Sequence, residues 1–357
     1  MPNSESLAFL KQLLNAPGPS GFETRAARVW RDAAARLAIV TSDVAGNSLA
    51  TVNPGGSPVI FLAGHIDEIG VIAQYTDDDG FVSIQPIGGW DAEVLVGQRI
   101  RFLARDGDVI GVVGKKPIHL MVRGENDKKK ETSISDLWVD IGARNRAEAE
   151  ERLAVGDPGV IDAPAVELPN GRLVSRAIDN RIGAFIVLEA LRRYAEVPGH
   201  ACVMAAATTQ EEIAYRGGGA RIGAAAAKPH MAIVVDVTFA TDHPGLEKKE
   251  LGDYPLGSGP VISRGSIVSP VVFQLLRTAA ANRQIPARVQ AAGRDTGTDA
   301  DTIHFLREGI ATAVVSIPNR YMHSPNEMVS LQDVDHAVEL IAETCRAVAG
   351  DVDFAAR

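Results

Sequence analysis

Four apolar runs along the chain each lead into a histidine or an acid. Residues 58–64 read Pro-Val-Ile-Phe-Leu-Ala-Gly and are followed by His65-Ile66-Asp67. Residues 201–207 are followed, after Thr208-Thr209-Gln210, by Glu211-Glu212. Residues 231–235 end at Asp236, and 311–317 lead a few positions on to His323. Runs this short and this apolar suit strands buried on both faces of a parallel sheet. Adjacent strand residues face opposite ways, so the pattern predicts different jobs for Glu211 and Glu212. Helical spacing covers 4–14, 23–37, 182–194, 218–227, 270–282, 299–307 and 331–349. Short strands are expected at 39–41 and 48–52. Strands alternating with helices predict an α/β fold, a mostly parallel sheet with helices on both faces.

The texture changes after Gly70. Strand-like runs at 71–75, 81–86, 98–103, 109–113 and 137–141 are separated by turn signals, among them Asp77-Asp78-Asp79-Gly80 and Asp106-Gly107. Apart from a charged turn at 145–153, no long helix is expected there. The pattern predicts a small all-β, barrel-like domain at 70–163, inserted into an α/β domain formed by 1–69 and 164–357. The run Asp127-Lys128-Lys129-Lys130-Glu131 reads as a solvated loop, and Arg216-Gly217-Gly218-Gly219 as a tight turn into a helix.

With 46% hydrophobic residues and 34 glycines, the 357-residue chain can build a large core. Its net charge of -9 argues against nucleic-acid or anionic-membrane binding. No stretch reaches the apolar length of a membrane span. The first helix carries Glu5 and Lys11 and lacks the apolar centre of a signal peptide. Cys202 and Cys345 fall in predicted core elements and read as packed thiols, so a reducing cytoplasm is expected.

A dinuclear metal site explains the strand-end residues best. Zinc and similar ions take imidazole nitrogen and carboxylate oxygen, and His65, Asp179, Glu212, Asp236 and His323 supply both. Asp179, in Ala177-Ile178-Asp179-Asn180-Arg181, opens the strongest helix and is equally a candidate N-cap or a carboxylate shared by two ions. Four acids, Asp179, Glu211, Glu212 and Asp236, balance two divalent cations, whereas unpaired they are costly to bury. In His65-Ile66-Asp67 both polar side chains share one face, so Asp67 can fix the tautomer of His65. Glu211 is left over once the ligands are assigned, and is either the acid that accepts a proton from metal-activated water or a mere outer-sphere charge.

Several motifs in order resemble a known family. They are Leu62-Ala63-Gly64-His65-Ile66-Asp67-Glu68-Ile69-Gly70, Ala177-Ile178-Asp179-Asn180-Arg181, Gln210-Glu211-Glu212, Asp236-Val237-Thr238, Gly297-Thr298-Asp299-Ala300 and Tyr321-Met322-His323-Ser324-Pro325. Together they resemble the TET-type dinuclear-metal aminopeptidases, whose members carry the labels glutamyl aminopeptidase or endoglucanase. The resemblance implies that His65 and Asp236 hold one ion, Glu212 and His323 the other, with Asp179 bridging. It implies zinc or cobalt as the ions, with manganese also suitable. Glu211 would be the general base, Asp67 would orient His65, and the Asp179-Asn180 peptide would be cis. The 70–163 insertion would make dimers, six of which close into a tetrahedral dodecamer acting on short peptides.

Two other readings compete. A glycosidase would use Glu211 and Glu212 as its carboxylate pair, which must face one cleft ~5–10 Å apart, and it leaves both histidines without a purpose. A non-catalytic, metal-stabilised assembly protein would keep the ligands and dispense with the base.

Overall fold

The computed structural model describes residues 2–120, 131–214 and 218–355. Residues 127–130 of the charge run, and Arg216 and Gly217 of the glycine turn, lie outside the described residues. The chain forms two compact units, one of Met1–Glu68, Ala165–Met322 and Asn326–Arg357, the other of Ile69–Pro164 with His323–Pro325.

The larger unit is built on an eight-stranded sheet. Its spatial order is Ile39–Ser42, Ser48–Val52, Cys202–Thr208, Val59–His65, Met231–Phe239, Ala311–Asn319, Val261–Arg264 and Arg288–Ala291. The four central strands, which carry the apolar runs, are parallel. The flanks are mixed, which the sequence pattern did not show. Ile39–Ser42 and Ser48–Val52 are joined by only five residues, too few for a crossover, so they pair antiparallel.

Alternation along the central strands feeds two cores. On one face Leu62, Val203 and Ile233 pack with Ile182, Phe185 and Leu188 of the long helix. On the other, Phe61, Ala206 and Val234 pack with Ala220, Ala224, Ala300 and Ile303. The long helix, Ile178–Glu196, comes very close to the sheet at Gly64, where a Cβ would stand 2.4 Å from the backbone of Gly183. Only glycine permits that approach, and it brings the start of the helix level with His65.

Two expectations for this unit differ from the structure. The helix expected at 299–307 is a single turn, Ala300–Ile303. Beyond it the backbone tightens through a Leu306 N–H bond to Ile303 O, and Arg307 adopts φ 57°. Glu211 and Glu212 are not on a strand. The strand ends at Thr208, Gln210 takes φ 61°, and the two glutamates follow in a turn, where strand alternation no longer applies.

The smaller unit is a closed barrel of six strands, ordered Gly70–Thr76, Val82–Ile87, Trp138–Asp140, Gly107–Gly114, Arg99–Ala104 and Pro158–Ile161. Val71, Ile84, Ile100, Phe102 and Val139 fill it. Its one helix longer than a turn among the described residues is Arg146–Arg152, capped by the Asn145 side chain.

Candidate metal centre

The carboxyl ends of three neighbouring parallel strands bring the first donors together. His65 closes Val59–His65 and pairs directly with Thr208. On the other side Ala63 pairs with Val234, which sets Asp236 level with His65. Both side chains are buried, at 2% and 5% exposure.

Asp67 clamps the glutamate turn to the histidine. Its two carboxylate oxygens accept the backbone N–H groups of Glu211 (3.2 Å) and Glu212 (3.1 Å), and Ser20 Oγ donates to it at 2.8 Å. Asp67 Oδ1 also lies 3.4 Å from His65 Nδ1, with the Asp67 carbonyl at 3.3 Å. Both acceptors call for a proton on Nδ1, and a ring that carries only that proton offers the Nε2 lone pair to an ion. That nitrogen faces Asp179 Oδ1 at 3.3 Å and Glu211 Oε2 at 3.7 Å.

Asp179 arrives from the strand Arg172–Ser175, where the backbone interrupts the helix that follows. Asp179 and Asn180 have non-helical dihedrals and the peptide between them is cis. The Asp179 N–H donates to Glu327 Oε2 at 2.9 Å, and Asn180 Nδ2 donates to Val235 O at 2.7 Å. The second bond ties this segment to the residue preceding Asp236.

Behind the donors lies a buried ion network. Arg181, fully buried, donates to Glu68 Oε1 (2.8 Å) and to the carbonyls of Ile66 (3.0 Å), Leu13 (3.1 Å) and Ala16. Arg176 Nε meets the other Glu68 oxygen at 2.9 Å. Because Ile66 lies between His65 and Asp67, this network fixes the segment that carries both.

The donor atoms form two overlapping groups, His65 with Asp179 and Glu212, and His65 with Glu211 and Asp236. Within each, one atom per residue lies within 4.8 Å of the others. His323 is in neither group. It belongs to the smaller unit, where Nδ1 lies 2.8 Å from Gly89 O. A carbonyl only accepts, so this bond puts a proton on Nδ1, as the acceptors around His65 Nδ1 do.

Crowding dominates the electrostatics. Burial, with Asp236, Asp299 and Glu212 adding and His65 opposing, pushes Glu211 up to about 9. Burial likewise holds Asp236 well above the carboxylate range, against the opposing pull of His65. Burial would lower His65, yet Asp67 and Glu211 outweigh it and keep the imidazole well above its ordinary value. Carboxylates this close hold protons unless positive charge is supplied, and bound divalent ions reverse that balance. The mixed imidazole and carboxylate donor set is the one zinc and similar ions take, so the residues fit such a group.

The sequence reading gave no role to Ser20, Glu68, Arg181 or Glu327. Glu68 and Arg181 stood inside the quoted motifs, where a charge within an apolar run was the available signal. Ser20 and Glu327 reach the site only through long-range folding and left none.

Comparison with known proteins agrees with this geometry. The family model for M42 glutamyl aminopeptidases matches residues 46–340. The chain is 36% identical over 338 residues to a lysyl aminopeptidase of Pyrococcus furiosus, covering 93% of this chain and 94% of that one. A TET aminopeptidase from a marine sediment Thaumarchaeota archaeon superposes with TM-score 0.90 at 33% identity, covering 96% of each chain. The Pyrococcus horikoshii TET1 peptidase, described as able to assemble into a tetrahedron or a large octahedral shell, superposes with TM-score 0.84 at 27% identity, covering 96% of this chain and 100% of that one. No helix among the described residues is long and apolar enough to cross a membrane. With a matching family model, a matching fold and a cluster of His, Asp and Glu side chains that could hold metal, the chain belongs to the M42 glutamyl aminopeptidase family, peptide hydrolases that remove N-terminal residues.

Proposed function

We propose that the protein is a dinuclear metal aminopeptidase acting on short peptides. His65 and Asp236 would hold one divalent ion and Glu212 and His323 the other, and Asp179 would serve both. Zinc or cobalt suits these donors best, and manganese is also suitable. The ions would supply Lewis-acid activation of water and of the scissile carbonyl. Glu211 takes the proton of the attacking water and returns it to the leaving amine. Asp67 keeps His65 in the Nδ1–H tautomer and holds the turn that carries the base. The observation that carries the reading is that both donor groups share His65, whose Nε2 lies 3.3 Å from Asp179 Oδ1 and 3.7 Å from Glu211 Oε2. Membership in a peptidase family removes the support for a glycosidase.

We further propose that the barrel at 70–163 is a dimerisation domain and that six dimers form a tetrahedral dodecamer. Its outer wall exposes Tyr75, Ile110 and Val112, apolar side chains suited to an isologous contact. The assembly described for the Pyrococcus horikoshii relative supports the same reading. Two buried thiols, Cys202 and Cys345, fit a reducing cytoplasm.

One experiment examines activity and assembly together. The protein, sized by light scattering, is given a short peptide, its N-acetylated form and a folded protein with an accessible N-terminus. The expected result is a dodecamer that trims only the free short peptide. An active monomer that trims folded proteins would contradict the assembly, and cleavage of the acetylated peptide would contradict the exopeptidase.

A further inference from the structure

Asp299 is a buried acid at the centre that the proposed reaction does not use. It is 3% exposed, and its Oδ2 accepts a hydrogen bond from Thr208 Oγ1 at 2.9 Å. Its other oxygen, Oδ1, is enclosed and has no hydrogen-bond partner among the described residues. A buried carboxylate oxygen without a donor is costly, and the interior rarely tolerates one. Thr208, the residue that holds Asp299, pairs directly with His65 on the neighbouring strand, which places the carboxylate beside the donor groups. It belongs to neither donor group itself.

We propose that Asp299 is a positioning residue for the metal pair: its uncompensated charge deepens the negative field that holds the two ions, without contacting them. The four acids Asp179, Glu211, Glu212 and Asp236 already match two divalent cations. Asp67 is satisfied by backbone N–H groups, the Ser20 hydroxyl and the His65 ring. Asp299 is the excess charge, held among the described residues only by Thr208, and it gains compensation when the ions bind. Without ions that charge must be neutralised by protons or borne as repulsion, and loading relieves either cost.

This inference rests on the dinuclear reading, and the test separates the two. Wild type, Asp299→Asn, Asp299→Ser and Thr208→Val are stripped of metal, and zinc affinity and metal-free melting temperature are measured for each. The Asp299 variants are expected to bind zinc ~10–100-fold more weakly, the range found when groups outside the ligand shell are removed. Their metal-free forms are expected to melt higher than wild type. Thr208→Val keeps the charge and removes only the hydrogen bond, so its zinc affinity should stay within a few-fold. A role in packing alone predicts the reverse, with lower melting in every variant and unchanged zinc affinity, and that result overturns the proposal. Failure of both Asp299 variants to fold, with or without metal, would mark a structural carboxylate and overturn it too. If wild type itself binds no divalent ion, the dinuclear reading falls first.

Discussion

Glu211→Gln is expected to lower turnover by ~10²–10⁴-fold, the usual contribution of a positioned proton acceptor, while metal content stays at the wild-type level. The amide keeps the shape of the side chain and cannot take a proton. Glu211 is partly buried among other acids, and without cations that setting pushes it up to about 9. Adjacent divalent charge lowers that value and makes the carboxylate available as a base. Glu212→Gln is the contrast, because it removes a donor from the group containing His65 and Asp179. Metal should leave that variant, and turnover should fall with it. Steady-state kinetics beside elemental analysis separates the two, and near-normal turnover in Glu211→Gln with its metals intact would reassign the base.

Arg181→Met is expected to destabilise the larger unit by about 3–5 kcal/mol, the cost of breaking a buried, hydrogen-bonded ion pair. Methionine replaces the aliphatic stem and none of the donors. Glu68 Oε1 loses its 2.8 Å partner, and the carbonyls of Leu13, Ala16 and Ile66 lose theirs, all in the interior. Arg176 remains on Glu68, which limits the damage. A drop in melting temperature on the order of 10 °C would follow. Arg181→Lys keeps the charge but lacks the planar fork, so it should recover only part of the loss. Unchanged melting in Arg181→Met would show that the network contributes no stability.

Much of the centre was legible because its donors follow directly on apolar strands. Buried parallel strands must be apolar, so the first polar residue after each run stands out, as at His65 and Asp236. The helix Pro270–Asn282 was equally plain, bounded by Ser269 as N-cap and by Pro270 in its first turn. The turn at Gln210 was not, since a positive φ at a non-glycine residue leaves no compositional mark. Nor were the antiparallel flanks, because strand direction depends on pairing partners far apart in sequence. Glu327 meets Asp179 across 148 positions, a contact that only the folded chain can show. Asp299 lay in a recognisable motif, but its enclosed, unpartnered oxygen is a property of packing.

The most direct test of the dinuclear aminopeptidase is a metal titration. Protein freed of metal by chelation is titrated with zinc, cobalt or manganese while release of the N-terminal residue from a short peptide is followed. The account predicts no hydrolysis without ions and full activity only as the second ion per chain is bound. Full activity in metal-free protein, or saturation at one ion per chain, would contradict it.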